Sequence, residues 1–112
     1  MRDPRERLRD ILEAIENIQR YTTTGRDVFE KDELVQSWCV RHLQIIGEAA
    51  RSLSEETRKD IPQIPWSDIV GMRHVLVHNY FGIDTELVWN VVENQLGALK
   101  AAIETFLGPR TD

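Results

Sequence analysis

The sequence predicts an all-α protein, an antiparallel bundle of four to five helices. Three observations carry that expectation. Apolar residues recur at three- and four-residue spacing along most of the chain, which lays each set on one face of a helix. The periodic segments are separated by residues that start and stop helices, and no stretch alternates with the period of a strand.

The first helix is expected from Asp3, a side chain that can cap, with Pro4 at the first helical position and Glu6 three residues after the cap. Leu8, Ile11, Leu12, Ile15 and Ile18 form its stripe as far as about Tyr21, and Thr22-Thr23-Thr24-Gly25 ends it. One long second helix is expected from about Asp27, with Val35, Cys39, His42, Ile46, Ala49 and Leu53 as a seam. Trp38 and Ile45 widen that face, and Gly47, Ala49 and Ala50 are small enough for a neighbouring helix to approach closely.

Ser54 can cap a short turn through Lys59, and Ile61-Pro62-Gln63-Ile64-Pro65 is a connector, because two prolines remove amide donors and restrict their predecessors. Pro65 then opens a helix carrying Ile69, Val70, Met72, Val75, Leu76 and Val77, which should loosen around Asn79 to Gly82. Asp84 caps one last helix, in which Val88, Val92, Leu96 or Gln95, Leu99, Ile103 and Phe106 repeat until Gly108-Pro109.

A chain of 112 residues is expected to make a single domain, since about 65% of the unfolded surface is buried at this size. The ordered bundle should span about residues 4–107, with a short C-terminal tail. No uninterrupted apolar run exceeds three residues, so neither a membrane span nor a secretory signal is expected, and the chain is read as cytoplasmic. Cys39 is the sole cysteine. It can form no disulfide within the chain and reads as a buried apolar position.

The 14 basic and 19 acidic side chains give a formal charge of −5, which argues against gripping duplex nucleic acid through a broad positive field. The balance is uneven. Residues 1–60 hold 11 basic and 13 acidic groups, and residues 61–112 hold 3 and 6. Arg73 is thus the only basic residue between Lys59 and Lys100. An isolated Arg among acids and apolar residues is either paired or functional.

Gly71-Met72-Arg73-His74-Val75-Leu76-Val77-His78-Asn79-Tyr80 gathers one Arg, two of the three His and a Tyr within eight positions. A neutral imidazole can take a proton near neutral pH, a guanidinium can stabilise charge developing on a phosphate, and Tyr adds a hydroxyl. These are the parts of a metal-independent ribonuclease, in which a 2′-hydroxyl attacks its own phosphodiester. The bland alternative is a helix-terminal cluster, with Arg73 in a salt bridge and His78 near the helix C-terminus. On an ideal helix Arg73 and His78 stand about 140° apart, whereas Tyr80 lies within about 20° of Arg73. Either the helix breaks before His78, or two copies of the segment meet across a dimer axis.

The pattern Arg73-x4-His78-x-Tyr80 resembles the R-x4-H-x-Y motif of the HepT-like toxins, a branch of the HEPN superfamily of small helical ribonucleases. Ile46-Gly47-Glu48-Ala49, Ile64-Pro65-Trp66, Gly71-Met72-Arg73 and Tyr80-Phe81-Gly82-Ile83-Asp84 are similar to that family as well. The resemblance implies a homodimeric HEPN-type bundle whose two motifs form one composite RNase site, without cofactor or metal, acting on RNA and not on DNA. It further implies a partner, a minimal nucleotidyltransferase antitoxin of the MntA type that transfers AMP to the motif tyrosine. Carried over by position, His78 would be the catalytic base or acid, Arg73 would hold the scissile phosphate, and Tyr80 would accept AMP. Asn79 lies between them as a supporting residue. One departure is visible: His74 stands where family members commonly have Asn. A second reading is a catalytically silent module that dimerises and docks a nucleotidyltransferase.

The remaining candidates read more plainly. His74 and His78 have a spacing that can ligate metal, but no Cys or carboxylate accompanies them at matching spacing. His42 reads as a packed, hydrogen-bonded core histidine. Glu48 either pairs with Arg73, orienting its guanidinium, or faces solvent; the sequence leaves both open. Arg2, Arg5, Arg7 and Arg9 read as a solvated face among Asp3, Glu6 and Asp10. Trp38, Trp66 and Trp89 could stack on bases, but their apolar neighbours favour packing.

Overall fold

The computed structural model describes residues 3–77 and 84–109, with residues 73–77 described by their backbone alone. Helix α1 (Pro4–Arg20) begins as expected: the Asp3 carboxylate accepts from the Arg5 backbone N–H at 2.7 Å, and Pro4 occupies the first turn. Leu8, Ile11, Leu12, Ile15 and Ile18 are all buried. After Tyr21 the chain turns through Gly25, whose φ of +98° suits a residue without Cβ.

The expected second helix is two. Helix α2 (Arg26–Lys31) stops at Asp32, and α3 (Glu33–Arg51) restarts from it. Asp32 leaves the helical basin at φ −121°, ψ 98°, and its carboxylate accepts from the backbone N–H groups of Leu34 and Val35. An aspartate that can satisfy two orphan donors favours a new N-terminus over helix continuation. The Gln36 amide closes the break by donating to the Phe29 and Glu30 carbonyls at 2.9 and 3.1 Å.

The seam of α3 is as expected, with Cys39, His42, Ile46 and Ala49 buried, Leu53 buried just beyond the helix, and Val35 half-buried. Helices α1 and α3 pack antiparallel. The Trp38 indole N–H, early in α3, donates to the Asn17 carbonyl, late in α1, at 2.8 Å. At the other end Arg7 and Asp10 share a groove with Glu48.

Ser54 caps the short α4 (Glu55–Asp60) through its hydroxyl. Arg58 reaches back to the Ala50 and Arg51 carbonyls at 3.0 and 3.1 Å, a cation on the negative end of α3. Helix α5 (Trp66–Val77) follows the proline connector. Its first residue is anchored, because the Trp66 indole N–H donates to the Arg58 and Ile61 carbonyls, both at 3.0 Å. Ile69 and Met72 are buried, and α5 packs along α3, where Gly47, Ala49 and Ala50 are also buried.

The last helix is likewise divided, into α6 (Thr85–Asn94) and α7 (Leu96–Leu107). Asp84 caps α6 by accepting from the Leu87 N–H. Gln95 departs from helical geometry at φ −117° yet still donates to the Val91 carbonyl, so the division is a one-residue kink. The kink leaves Leu96 fully buried and Gln95 half-buried, which decides the seam position the sequence left open. The Arg5 guanidinium donates to the Leu107 carbonyl at 2.8 Å and joins the ends of α1 and α7. With α2–α3 and α6–α7 each taken as one limb, the limbs α1, α2–α3, α5 and α6–α7 and the short α4 give an all-α bundle. Among the described residues no helix is long and apolar enough to cross a membrane.

Candidate functional site

Helix α5 carries the start of the polar segment. Trp66, Ile69 and Met72 fix its first two turns, and the helical backbone continues through Arg73 and His74 to Val77, immediately before His78. The side chains of Arg73 and His74 lie outside the described residues, as do His78, Asn79 and Tyr80. The two ways of uniting Arg73 with His78, a break before His78 and a second copy, therefore also fall outside them. The chain re-enters at Asp84, the cap of α6.

Glu48 is exposed on the last turn of α3, with the Arg51 guanidinium at 3.8 Å. The expected alternative partner, Arg73, has its side chain outside the described residues. Trp66 and Trp89 are buried and Trp38 is half-buried, with its ring edge-on to Tyr21. All three pack as expected. Arg5 and Arg9 are exposed and Arg7 is half-buried, in keeping with a solvated face. Cys39 is fully enclosed, and burial pushes its thiol up to about 11. It is an apolar spacer at neutral pH.

His42 corrects the sequence reading. It is packed, at 7% exposure, but its Nδ1 is enclosed without a hydrogen-bond partner among the described residues. The ring lies 4.4 Å from that of Trp38 and lines a groove of about 370 Å³ between α1 and α3. Burial, with a smaller contribution from Arg41, holds its pKa below the ordinary histidine value, while Glu13 acts in the opposite sense. Sequence reasoning missed this groove. Its only signal was Glu13 and Asn17, four apart on α1 and beside the apolar stripe, a polar pair facing a seam histidine. Among the described residues no group of three or more His, Cys, Asp or Glu is placed to hold a metal ion.

An antiparallel helical bundle whose α5 backbone runs through Arg73 and His74 defines a small all-α domain. The chain belongs to the ribonuclease HepT-like family, whose model matches residues 11–106 and so includes Glu48 and the whole of Arg73–Tyr80. It is similar to the "Probable ribonuclease HepT" of Thermococcus cleftensis, 36% identical over 107 residues covering 92% of this chain and 94% of the relative. A "Putative RNase" of Methanocaldococcus jannaschii is 35% identical over 104 residues, covering 92% and 95%. Another, of Caldanaerobacter subterraneus subsp. tengcongensis, is 34% identical over 108 residues, covering 96% of each chain. No solved structure matches the chain.

Proposed function

We propose that this chain is the toxin ribonuclease of a type VII-like toxin–antitoxin pair, working as a homodimer in which two Arg73-His78-Tyr80 motifs form one metal-independent site. The observation that carries the reading is the match to the ribonuclease HepT-like family across the motif and the bundle that supports it. In the reaction His78 takes the proton of a ribose 2′-hydroxyl and the oxygen attacks the adjacent phosphorus. The 5′-oxygen then leaves as protonated His78 returns that proton to it, giving a cyclic phosphate and a free 5′-hydroxyl. Arg73 stabilises the charge that grows on the phosphate oxygens. DNA lacks the attacking hydroxyl and is not a substrate.

The dimer has support in the pattern of α5. Its apolar residues Ile69, Val70, Met72, Val75, Leu76 and Val77 fall on several sides of the helix, and a helix with no broad polar face requires cover on more than one side. Among the described residues α5 packs chiefly along α3. A second copy covers the remainder and brings a second Arg73 and His78.

Regulation follows from Tyr80. A nucleotidyltransferase antitoxin transfers AMP to its hydroxyl, and the added phosphate and nucleoside exclude RNA by bulk and repulsion. The test uses purified, EDTA-treated protein on total RNA. Wild type is expected to cleave, and His78→Ala to lose about 10²- to 10⁴-fold in rate, with toxicity on expression lost in parallel. An inert wild type that is harmless to cells supports the silent binding module instead. Intact mass after co-production with the nucleotidyltransferase should show added AMP, absent in Tyr80→Phe. Light scattering should find a dimer at micromolar concentration.

A further inference from the structure

The groove between α1 and α3 has the composition of a base-binding site. Glu13 and Asn17 stand on one wall, His42 on the other, and Ala14, Ile45 and Ala49 supply apolar surface. Its volume of about 370 Å³ lies in the range of small-ligand sites. Nδ1 of His42 is enclosed without a partner among the described residues, which favours the tautomer with the proton on Nε2, because a bare ring nitrogen is tolerated in the interior better than an N–H without an acceptor. On that assignment Nε2–H is the group that can serve a ligand. Burial favours the neutral ring, and the Trp38 ring packs against it at a tilt of 60°.

We propose that this groove binds a guanine base, with the Glu13 carboxylate accepting from N1–H and the 2-amino group and the His42 Nε2–H donating to O6. Guanine alone among the four bases places two adjacent donors beside an acceptor on its pairing edge. Adenine and cytosine turn a lone pair toward the carboxylate next to their amino group, and uracil flanks its single N–H with two carbonyls. Asp10, Glu48 and Arg7 also line the groove, so its rim carries charge of both signs. The occupant is a guanine of the RNA substrate, which rests on the ribonuclease reading; the binding chemistry itself does not.

The test is a titration of the full-length protein with guanosine, inosine, adenosine, cytidine and uridine, followed by the NMR signals of the His42 ring and the Glu13 amide. Guanosine should move both and bind about tenfold more tightly than inosine, which lacks the 2-amino group, since one hydrogen bond to a charged acceptor is at stake. Glu13 is exposed, so Glu13→Gln should fold normally by circular dichroism and weaken guanosine about tenfold or more. Equal response to adenosine, or guanosine binding that leaves His42 and Glu13 unmoved, overturns the proposal, as does the absence of any guanosine response. RNA cleavage that persists without guanosine binding refutes the groove and spares the ribonuclease. Guanosine binding by a protein that cleaves no RNA does the reverse.

Discussion

Replacing Trp66 with Phe should detach the first turn of α5 from the proline connector while leaving an aromatic ring in the core. The indole N–H donates to two carbonyls, those of Arg58 and Ile61, each at 3.0 Å. Removing it forfeits one shared donor, while the Arg58 and Ile61 carbonyls keep the backbone N–H groups of Ile61 and Ile64, so the cost is that of about one bond, about 0.5–1.5 kcal/mol. The smaller ring adds about 1 kcal/mol of lost packing at a side chain only 8% exposed. The total is about 1.5–2.5 kcal/mol, a large share of the ~5–15 kcal/mol that holds a domain folded. At this chain length that corresponds to a fall in Tm of roughly 6–10 °C. Urea and thermal unfolding followed by circular dichroism measure it. Trp38→Phe is the comparison, because Trp38 is half-buried and makes one such bond, to Asn17; it should cost about 1 kcal/mol. If Trp66→Phe lies within about 0.5 kcal/mol of wild type, or costs less than Trp38→Phe, the anchoring of α5 by this indole is wrong.

Two further outcomes follow from buried groups. His42 titrates lower in the folded protein than the ordinary histidine value near 6.5. The unfolded chain therefore binds the extra proton first, and the stability due to neutral His42 is intact above about pH 6.5 and lost as pH falls through the folded value. Urea midpoints of wild type and His42→Phe should thus converge, or cross in favour of the variant, between pH 7.5 and pH 5.5; a constant gap would count against it. Cys39, fully buried with its thiol pushed up to about 11, should resist a thiol reagent at pH 8 in the native state and react on addition of denaturant. Rapid labelling of the folded protein would show that α3 is less tightly packed than described.

How far the sequence could be read depends on the kind of interaction involved. Periodicity placed the buried faces of α1 and α3 correctly, because burial of Ile11, Ile15, Ile46 and Cys39 follows from spacing alone. The breaks at Asp32 and Gln95 were not legible. Neither carries Pro or Gly at the break, and each depends on where a side chain or a neighbouring helix satisfies the backbone. The motif rests on sequence alone: Arg73, His78 and Tyr80 are informative by type and spacing, and their side chains lie outside the described residues. The groove at His42 was not. Whether a seam histidine finds a hydrogen-bond partner is set by the helix packed opposite, and no local pattern encodes it.

The charge balance gives a last, quantitative expectation. A formal charge of −5 per chain means that attraction for RNA must come from a few local cations, and Arg73 is the only basic residue between Lys59 and Lys100. If two copies present two such arginines to one strand, about two phosphate charges are neutralised. Binding should then weaken with salt at a slope of about −1.4 in log K against log salt, from ~0.7 per contact on single strands. Fluorescence anisotropy of a labelled RNA with the His78→Ala protein, which holds RNA without cutting it, measures this between 50 and 200 mM salt. Arg73→Gln in the same background should flatten the slope toward zero. A slope of about −4 or steeper, unchanged by Arg73→Gln, would place the contact on a broad basic surface such as Arg5, Arg7 and Arg9 of α1. The composite two-arginine site would then have no electrostatic basis, because the strand would be held by a face that each chain possesses on its own.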